Sequence, residues 1–346
     1  MAKRTVAVDE AVGMVLSHDV TEIRGCLADA GGFKGAAFRK GHVIRAEDVE
    51  HFKRLGKENL YVLTLDVDEI HEDEAATALA TALAGSGVRV AGPPTEGKIT
   101  LVAECDGLLY VDVAALRAFN CLGDVMCATL HDCTPVAQGE PVAATRLIPL
   151  TAPRQRVEAA VAAAGAGVVQ VRVPHSARAG LVITGSEVAA GRVRDAFEPV
   201  LRKKLESLGS SVLRVAYAPD NVDAIAAEIR AALEAGADLI VTSGGLSVDP
   251  DDVTRLGILA AGAVDLVYGS PVLPGAMFAS ARIGEVPVLG VPACGMYHRI
   301  TVLDLVLPRV LCGEKIDRET LAQLGHGGLC RACPTCRYPV CDFGKF

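Results

Sequence analysis

The stretch Ala237-Asp238-Leu239-Ile240-Val241-Thr242-Ser243-Gly244-Gly245-Leu246-Ser247-Val248-Asp249-Pro250-Asp251-Asp252-Val253-Thr254 decides the fold. A near-continuous apolar run, Leu239 to Thr242, reads as a strand buried on both faces. It ends in Ser-Gly-Gly, and a helix opens after it, with proline and acidic residues where a first helical turn favours them. The loop therefore lies outside the carboxyl end of a parallel strand, where open α/β sheets bind ligands. Glycines there let backbone N–H groups approach a phosphate with no Cβ in the way. Ser243 and Ser247 add hydroxyl donors. Asp249, Asp251 and Asp252 would repel a bare phosphate, so a divalent cation between carboxylate and phosphate is expected. The plainer alternative is a tight turn followed by acidic helix caps.

A second stretch upstream shares this geometry. Gly180-Leu181-Val182-Ile183-Thr184-Gly185-Ser186-Glu187-Val188 is a strand running into Thr-Gly-Ser-Glu, with Gly191 and Asp195 leading into a helix. Thr184, Gly185 and Ser186 become candidate contacts for polar ligand groups. Asp220 ends a further strand just before a helix from Val222, as a cap or a ligand contact. Around these two stretches, apolar runs at 168–173, 181–184, 212–216, 239–242, 264–267 and 286–291 alternate with helical spacing at 196–208, 222–234, 251–261 and 296–311. That alternation predicts an α/β fold: a three-layer domain with a parallel-type sheet covered on both faces.

The pattern changes near Leu150-Thr151-Ala152-Pro153, so the α/β domain is expected over 151–315. Residues 1–65 read as a mixed α+β segment. In it, 15–23 looks extended, Phe33-Lys34-Gly35 and Arg39-Lys40-Gly41-His42 look like turns, 46–55 is helical and 60–65 a strand. Residues 66–150 read as a small β-rich domain with a helix over 72–84 and apolar stretches at 99–103, 108–111 and 125–130. Residues 316–346 form a cysteine-rich tail.

Composition narrows the function classes. The chain has 346 residues, 51% of them hydrophobic, only 4% aromatic, with no Trp and 35 Gly, which suits an α/β core of Ala, Val and Leu better than a β-sandwich. A net charge of −8 disfavours phosphate-driven nucleic-acid binding. No 7–15-residue apolar leader and no run of about 18 apolar residues is present, so a cytoplasmic location without membrane insertion is expected. A disulfide framework is not expected in such a chain. Cys26, Cys105, Cys121, Cys127, Cys133, Cys294 and Cys312 are scattered and read mostly as small buried hydrophobes.

The tail differs. Cys330, Cys333, Cys336 and Cys341 make Cys-x2-Cys-x2-Cys-x4-Cys, a spacing at which four thiolates can converge on a metal. Soft thiolates select zinc or an iron–sulfur cluster, and the serial x2 spacing leans toward the cluster. Arg331 and Arg337 would offset thiolate charge, and His326 is a spare ligand. The alternative is a tail of idle thiols. Among lesser candidates, His42 reads as a turn residue, and His298 and Arg299 as helix-face residues. Lys34, Arg39 and Lys40 read as a charged surface able to attract an anion.

The pairing of Ile183-Thr184-Gly185-Ser186-Glu187-Val188 and Gly191 with the Thr242–Thr254 loop resembles the molybdenum-cofactor biosynthesis domain over about residues 178–312. Molybdopterin adenylyltransferases and molybdopterin molybdenumtransferases share that domain. Tyr268-Gly269-Ser270-Pro271-Val272-Leu273-Pro274-Gly275-Ala276-Met277-Phe278 is similar to the transferase's Lys-Pro-Gly-Lys-Pro loop. Residues 13–19 and 38–48 are similar to pieces of its first domain, and the tail is similar to that of molybdopterin-binding proteins of anaerobic bacteria. The resemblance implies that Asp252 serves chemistry on the nucleotide-linked pterin, with Asp220 as a second acidic position. It implies that Gly244, Gly245 and Ser247 cradle the phosphate end and that Thr184, Gly185 and Glu187 form a first binding loop, with Ser186, Ser243, Asp249, Pro274 and Gly275 as further cofactor-binding candidates. The implied reaction takes adenylated molybdopterin and molybdate, uses Mg²⁺, and yields the metal cofactor and AMP. A recipient molybdoenzyme and a homo-oligomeric state follow from the same likeness. Two departures stand out: Val291-Pro292-Ala293-Cys294-Gly295 replaces the usual Leu-Pro-Gly-Asn-Pro, and the first domain's Asp-Gly-Tyr-Ala is absent. A non-catalytic carrier or sensor of the cofactor, and an adenylyltransferase, are the alternatives to metal insertion.

Overall fold

The structure is a computed structural model that describes residues 3–24, 33–63 and 67–345. Cys26, Thr64 and Leu65 therefore lie outside the described residues. The chain divides into two compact units interleaved in sequence. One comprises 1–103, 112–129 and 140–170; the other comprises 104–111, 130–139 and 171–346.

The second unit is built on a six-stranded sheet. Its strands are β1 (Arg178–Thr184), β2 (Ser211–Ala218), β3 (Leu239–Ser243), β4 (Val264–Tyr268), β5 (Ala279–Ile283) and β6 (Val286–Val291), in the order β2-β1-β3-β6-β5-β4. β2, β1, β3 and β6 are mutually parallel, and β5 runs antiparallel to both β6 and β4. The expected parallel sheet thus ends in an antiparallel meander at one edge. Strand β5 was not expected: its Ala-Ser-Ala-Arg-Ile has no continuous apolar run. The run at 168–173 forms strand Val169–Arg172, which stays outside this sheet.

Strand residues alternate between two cores, which makes the three layers. Leu181, Ile183, Leu239, Val241 and Leu289 pack with helix α1 (Phe197–Ser207) through Phe197, Leu201 and Leu205, and with helix α4 (Val302–Leu311). Val182, Ile240 and Val288 face the other way. They meet helix α2 (Val222–Glu234) through Ile225 and Ile229, and helix α3 (Thr254–Ala260) through Ile258. The spacing of four between the buried residues of α1 is the period of one helix face. Asp195 accepts from the N–H groups of Phe197 and Glu198, and Asn221 from that of Ala224, so α1 and α2 start on capped ends.

Helical spacing over 296–311 resolves into two pieces, a turn at Cys294–Tyr297 and α4. The break has a local cause: Thr301 and Asp304 form a capping box, with Asp304 Oδ2 accepting from Thr301 N at 2.7 Å.

In the first unit, Lys3–Ala7, Asn59–Leu63 and Val15–Leu16 form an antiparallel sheet. A four-stranded antiparallel sheet joins Val125–Thr129, Pro141–Leu147, Lys98–Ala103 and Val88–Val90 in that order. Phe33-Lys34-Gly35, expected as a turn, instead begins strand Phe33–Phe38, paired with Val20–Arg24. Burial of the paired Val20 and Phe38 favours the extended ladder over the turn that Gly35 suggests. His42 holds Asp48 at 2.7 Å, a structural role at a helix start. Arg39 pairs with Glu96, and the N–H of Lys40 binds Asp19. The Lys34 side chain lies outside what is described. No helix among the described residues is long and apolar enough to cross a membrane.

Candidate functional site

Three loops at the carboxyl ends of β3 and β6 and beside β4 enclose one cavity of about 380 Å³. Its walls are Gly244, Gly245, Leu246, Ser247 and Asp252 from the first loop, Leu273 to Met277 from the second, and Pro292, Ala293 and Cys294 from the third. The position outside the strands' carboxyl ends is the one open α/β sheets use for ligands. Of the residues expected from sequence, Gly244, Gly245, Ser247, Asp252, Pro274 and Gly275 meet here, joined by Cys294.

The glycine loop has its shape because its two glycines are backbone-close to what lies behind them. Gly244 has φ 83° and Gly245 φ 55°, both left-handed. A Cβ on Gly244 would sit 2.6 Å from the Thr184 carbonyl oxygen, and one on Gly245 would collide with Thr254 Oγ1. Behind the loop, Thr184 Oγ1 donates to Ser243 O at 2.8 Å and lies 3.0 Å from Thr254 Oγ1. Thr254 N donates back to Gly245 O at 3.1 Å, closing the loop on itself. Tyr268 O–H donates to Leu246 O at 2.5 Å, and the Arg255 guanidinium lies 4.0 Å over the Tyr268 ring. Thr254, Arg255 and Tyr268 are supports the sequence reading missed. Their signal was weak, because Thr254 and Tyr268 end or begin a motif, Arg255 follows one, and all three pack behind the loop rather than on its face.

The remaining expected residues stand beside the cavity and do not line it. Ser243 sits at the end of β3, fully buried, and its Oγ has no hydrogen-bond partner among the described residues. Asp249 is exposed and its carbonyl accepts from Asp252 N at 3.0 Å, so it shapes the turn that presents Asp252. At the end of β1, Asp220 Oδ2 accepts from Ser186 N at 2.8 Å while Ser186 Oγ accepts from Asp220 N at 3.1 Å. Asp220 and Ser186 thus tie the β1 and β2 ends together. Gly185 N–H binds Ala218 O, and the Glu187 carboxylate folds back against Gly185. Burial pushes the Cys294 thiol above its ordinary value, its neighbouring backbone N–H groups pulling the other way, so it faces the cavity as a neutral thiol.

A divalent cation can fit only in a particular way. Among the described residues no three His, Cys, Asp or Glu side chains stand close enough to hold an ion. Asp252 is the one carboxylate lining the cavity. Mg²⁺ is ordinarily held by one or two carboxylates plus substrate phosphates and water, and such a donor set is compatible with Asp252 beside a phosphate.

The cysteine tail folds around a second cavity, of about 420 Å³, lined by all four of Cys330, Cys333, Cys336 and Cys341 with Tyr297, His298 and Arg299. The expected convergence is therefore only partial: the thiols share one hollow but no three of them stand at metal-holding distance. Cys333 is exposed on the outer limb of the loop, while Cys330 and Cys341 pack against the core. His326 is not among the residues lining this hollow.

Residues 180–311 match the family model described as "Probable molybdopterin binding domain", and residues 5–64 match a domain of unknown function. A CinA-like protein of Mycobacterium avium is 45% identical over 82 residues, which are 24% of this chain and 19% of that protein. A CinA-like protein of Mycobacterium leprae is 48% identical over 79 residues, 23% of this chain and 18% of that one. The match thus spans about a fifth of the length of these relatives. Among solved structures, the molybdopterin biosynthesis enzyme MoaB of Thermus thermophilus aligns over 40% of this chain and 98% of its own, at 23% identity and TM-score 0.35. The Mog protein of Mycobacterium ulcerans aligns over 39% and 93%, at 22% identity and TM-score 0.32. The glycine loop and all the residues that line the cavity lie inside residues 180–311, the segment that matches the molybdopterin-binding domain model.

Proposed function

We propose that this chain acts in molybdenum- or tungsten-cofactor biosynthesis, taking molybdopterin or its adenylated form into the cavity at the ends of β3 and β6. One observation carries the reading: two left-handed glycines and one carboxylate, Asp252, face the same 380 Å³ cavity at the carboxyl edge of a parallel sheet. The bare backbone of Gly244 and Gly245 would seat the phosphate end, with Ser247 beside it. Leu246, Pro274 and Met277 would cover the pterin's flat faces. Asp252 and the phosphate oxygens together would hold Mg²⁺, whose charge would stabilise negative charge developing on the phosphate. Thr184 and Thr254, bonded behind the loop, would hold it in place as that charge changes, the preorganisation such catalysis needs. Metal insertion from molybdate with release of AMP is the reaction proposed, a recipient molybdoenzyme its customer.

A second reading, a carrier or sensor that holds the finished cofactor, is favoured by one feature. Asp252 is the only carboxylate among the described residues that line the cavity, and Asp220 stands outside it, bonded to Ser186. A molybdate-dependent AMP-release assay with adenylated molybdopterin and Mg²⁺ separates them. Release by the wild type that is lost in Asp252→Ala supports insertion. Binding without release sinks insertion and leaves the carrier, and AMP-transfer from ATP to molybdopterin would instead assign an adenylyltransferase.

A further inference from the structure

The cysteine tail has no part in the pterin reading, and its construction points elsewhere. Both ends of the loop that carries the four thiols are fastened to the body of the second unit. At the entry, Leu273 N donates to Gly328 O and Cys330 N donates to Leu273 O, each at 2.8 Å. At the exit, Phe343 is buried, Gly344 N donates to Gly327 O at 3.0 Å, and Lys345 Nζ reaches Thr134 Oγ1 at 2.7 Å. Arg331 and Asp342, the neighbours of the first and last cysteine, pair at 2.9 Å across the loop's mouth. Tyr338 packs edge-on against Phe343 and its O–H reaches Asp304 O at 3.4 Å. A segment of idle thiols gains nothing from being clasped this way.

Inside the clasp the four sulfur side chains line one hollow. Cys330 and Cys341 are set by the fastened ends. Cys333 and Cys336 ride on the span between, where Ala332, just before Cys333, has a left-handed φ of 50°. Arg299 and Arg337 also line the hollow, placing positive charge where a tetrathiolate centre would carry negative charge. We propose that Cys330, Cys333, Cys336 and Cys341 form a soft-metal site, closed when Cys333 and Cys336 turn inward onto a zinc ion or an iron–sulfur cluster. Thiolate is the shared chemistry of both. Each coordinating thiol gives up one proton to solvent on binding, and no electron transfer is required to load zinc. Because the entry strap is bonded to Leu273, closure also stiffens the Leu273–Cys330 ladder.

The test uses the full chain, reduced and purified without oxygen. Metal content and visible absorption of the isolated protein come first: iron with a broad band near 400 nm assigns a cluster, zinc without it assigns the ion. Metal-stripped protein is then titrated with Co²⁺ and back-titrated with Zn²⁺. One Co²⁺ per chain with a sulfur-to-cobalt charge-transfer band, displaced by Zn²⁺, is expected. Cys333→Ser, at an exposed position where folding is not at stake, should weaken binding about tenfold or more, and Cys121→Ser should leave it unchanged. Hydrogen exchange at the amides of Leu273 and Cys330 should slow on loading. Absence of a charge-transfer band together with metal-free isolated protein overturns the site. Undiminished binding by Cys333→Ser and Cys336→Ser overturns it equally, since the metal would then lie elsewhere.

Discussion

Gly244 shows how much of the candidate site depends on atoms that are missing from a side chain. Its φ of 83° alone costs an alanine roughly 1–2 kcal/mol, and the Thr184 carbonyl 2.6 Å from the new Cβ is backbone, which cannot step aside cheaply. Gly244→Ala should therefore lower unfolding stability by about 2 kcal/mol or more in urea denaturation and should abolish pterin binding even in the fraction that stays folded. A variant as stable as wild type would show that the loop relaxes freely. The threonines behind it give a graded series. Thr254→Val removes one hydroxyl partner of Thr184 and should cost about 1 kcal/mol. Thr184→Val removes both the bond to Ser243 O and that to Thr254, leaving buried groups unsatisfied, and should cost more than Thr254→Val by about 1 kcal/mol. Equal costs in paired denaturation curves would contradict the assignment of Thr184 as the hub.

At the scale of elements, legibility followed burial pattern. The helix at 222–234 was legible because Ile225 and Ile229 repeat at helical spacing, but its cap is Asn221 and not the Asp220 that the sequence offered, whose carboxylate binds Ser186 N instead. The meander strand at 279–283 escaped because its residues are small or charged and its place is decided by pairing with β4 and β6, a relation between distant residues. The break before α4 was in principle readable, since Thr301 followed three residues later by Asp304 is a capping signature. A similar cap carries a pH dependence in the first unit. Burial works to raise the Asp48 carboxyl, but its bonds to His42 and to the Arg45 N–H outweigh that and hold it below the usual carboxylate range. A group depressed on folding stabilises the fold above its unfolded pKa and loses that contribution as pH falls through its folded one. Wild type should therefore exceed Asp48→Asn in stability by about 1 kcal/mol at pH 6, with the gap closing below pH ~4. Denaturation curves of the two proteins from pH 3 to 6 measure it, and a gap constant with pH would place the effect outside the Asp48 charge.

On the scale of the whole molecule, the three loops of the cavity were each visible as motifs, yet their meeting was not. It depends on β3 and β6 being sheet neighbours while β1 and β2 lie to one side, which is why Thr184, Ser186, Glu187 and Asp220 stand beside the cavity. Strand order arises from long-range pairing that no local pattern encodes. Interleaving of the units has the same origin and yields a consequence for dissection. Residues 104–111 and 130–139 belong to the second unit, where Gly107–Val111 pairs with Pro135–Val136. Tyr110 O–H reaches Glu314 Oε2 at 3.4 Å, the Arg172 guanidinium lies 4.3 Å over the Tyr110 ring, and Lys345 binds Thr134. Glu314 in turn takes Arg309 Nε at 2.8 Å, and Arg309 is buried. A fragment of 171–346 contains the whole six-stranded sheet but would strip these partners, opening the Arg309–Glu314 pair to water and freeing the end of the tail. Losing the ring contact and the two hydrogen bonds amounts to about 2–3 kcal/mol, or a midpoint several degrees lower. Thermal melting of the fragment against the full chain, with proteolysis timed at the bonds after Arg337 and Lys345, tests this. Equal melting and equal tail protection would mean that residues 104–111 and 130–139 are passengers on the second unit and that the six-stranded sheet domain is complete without them.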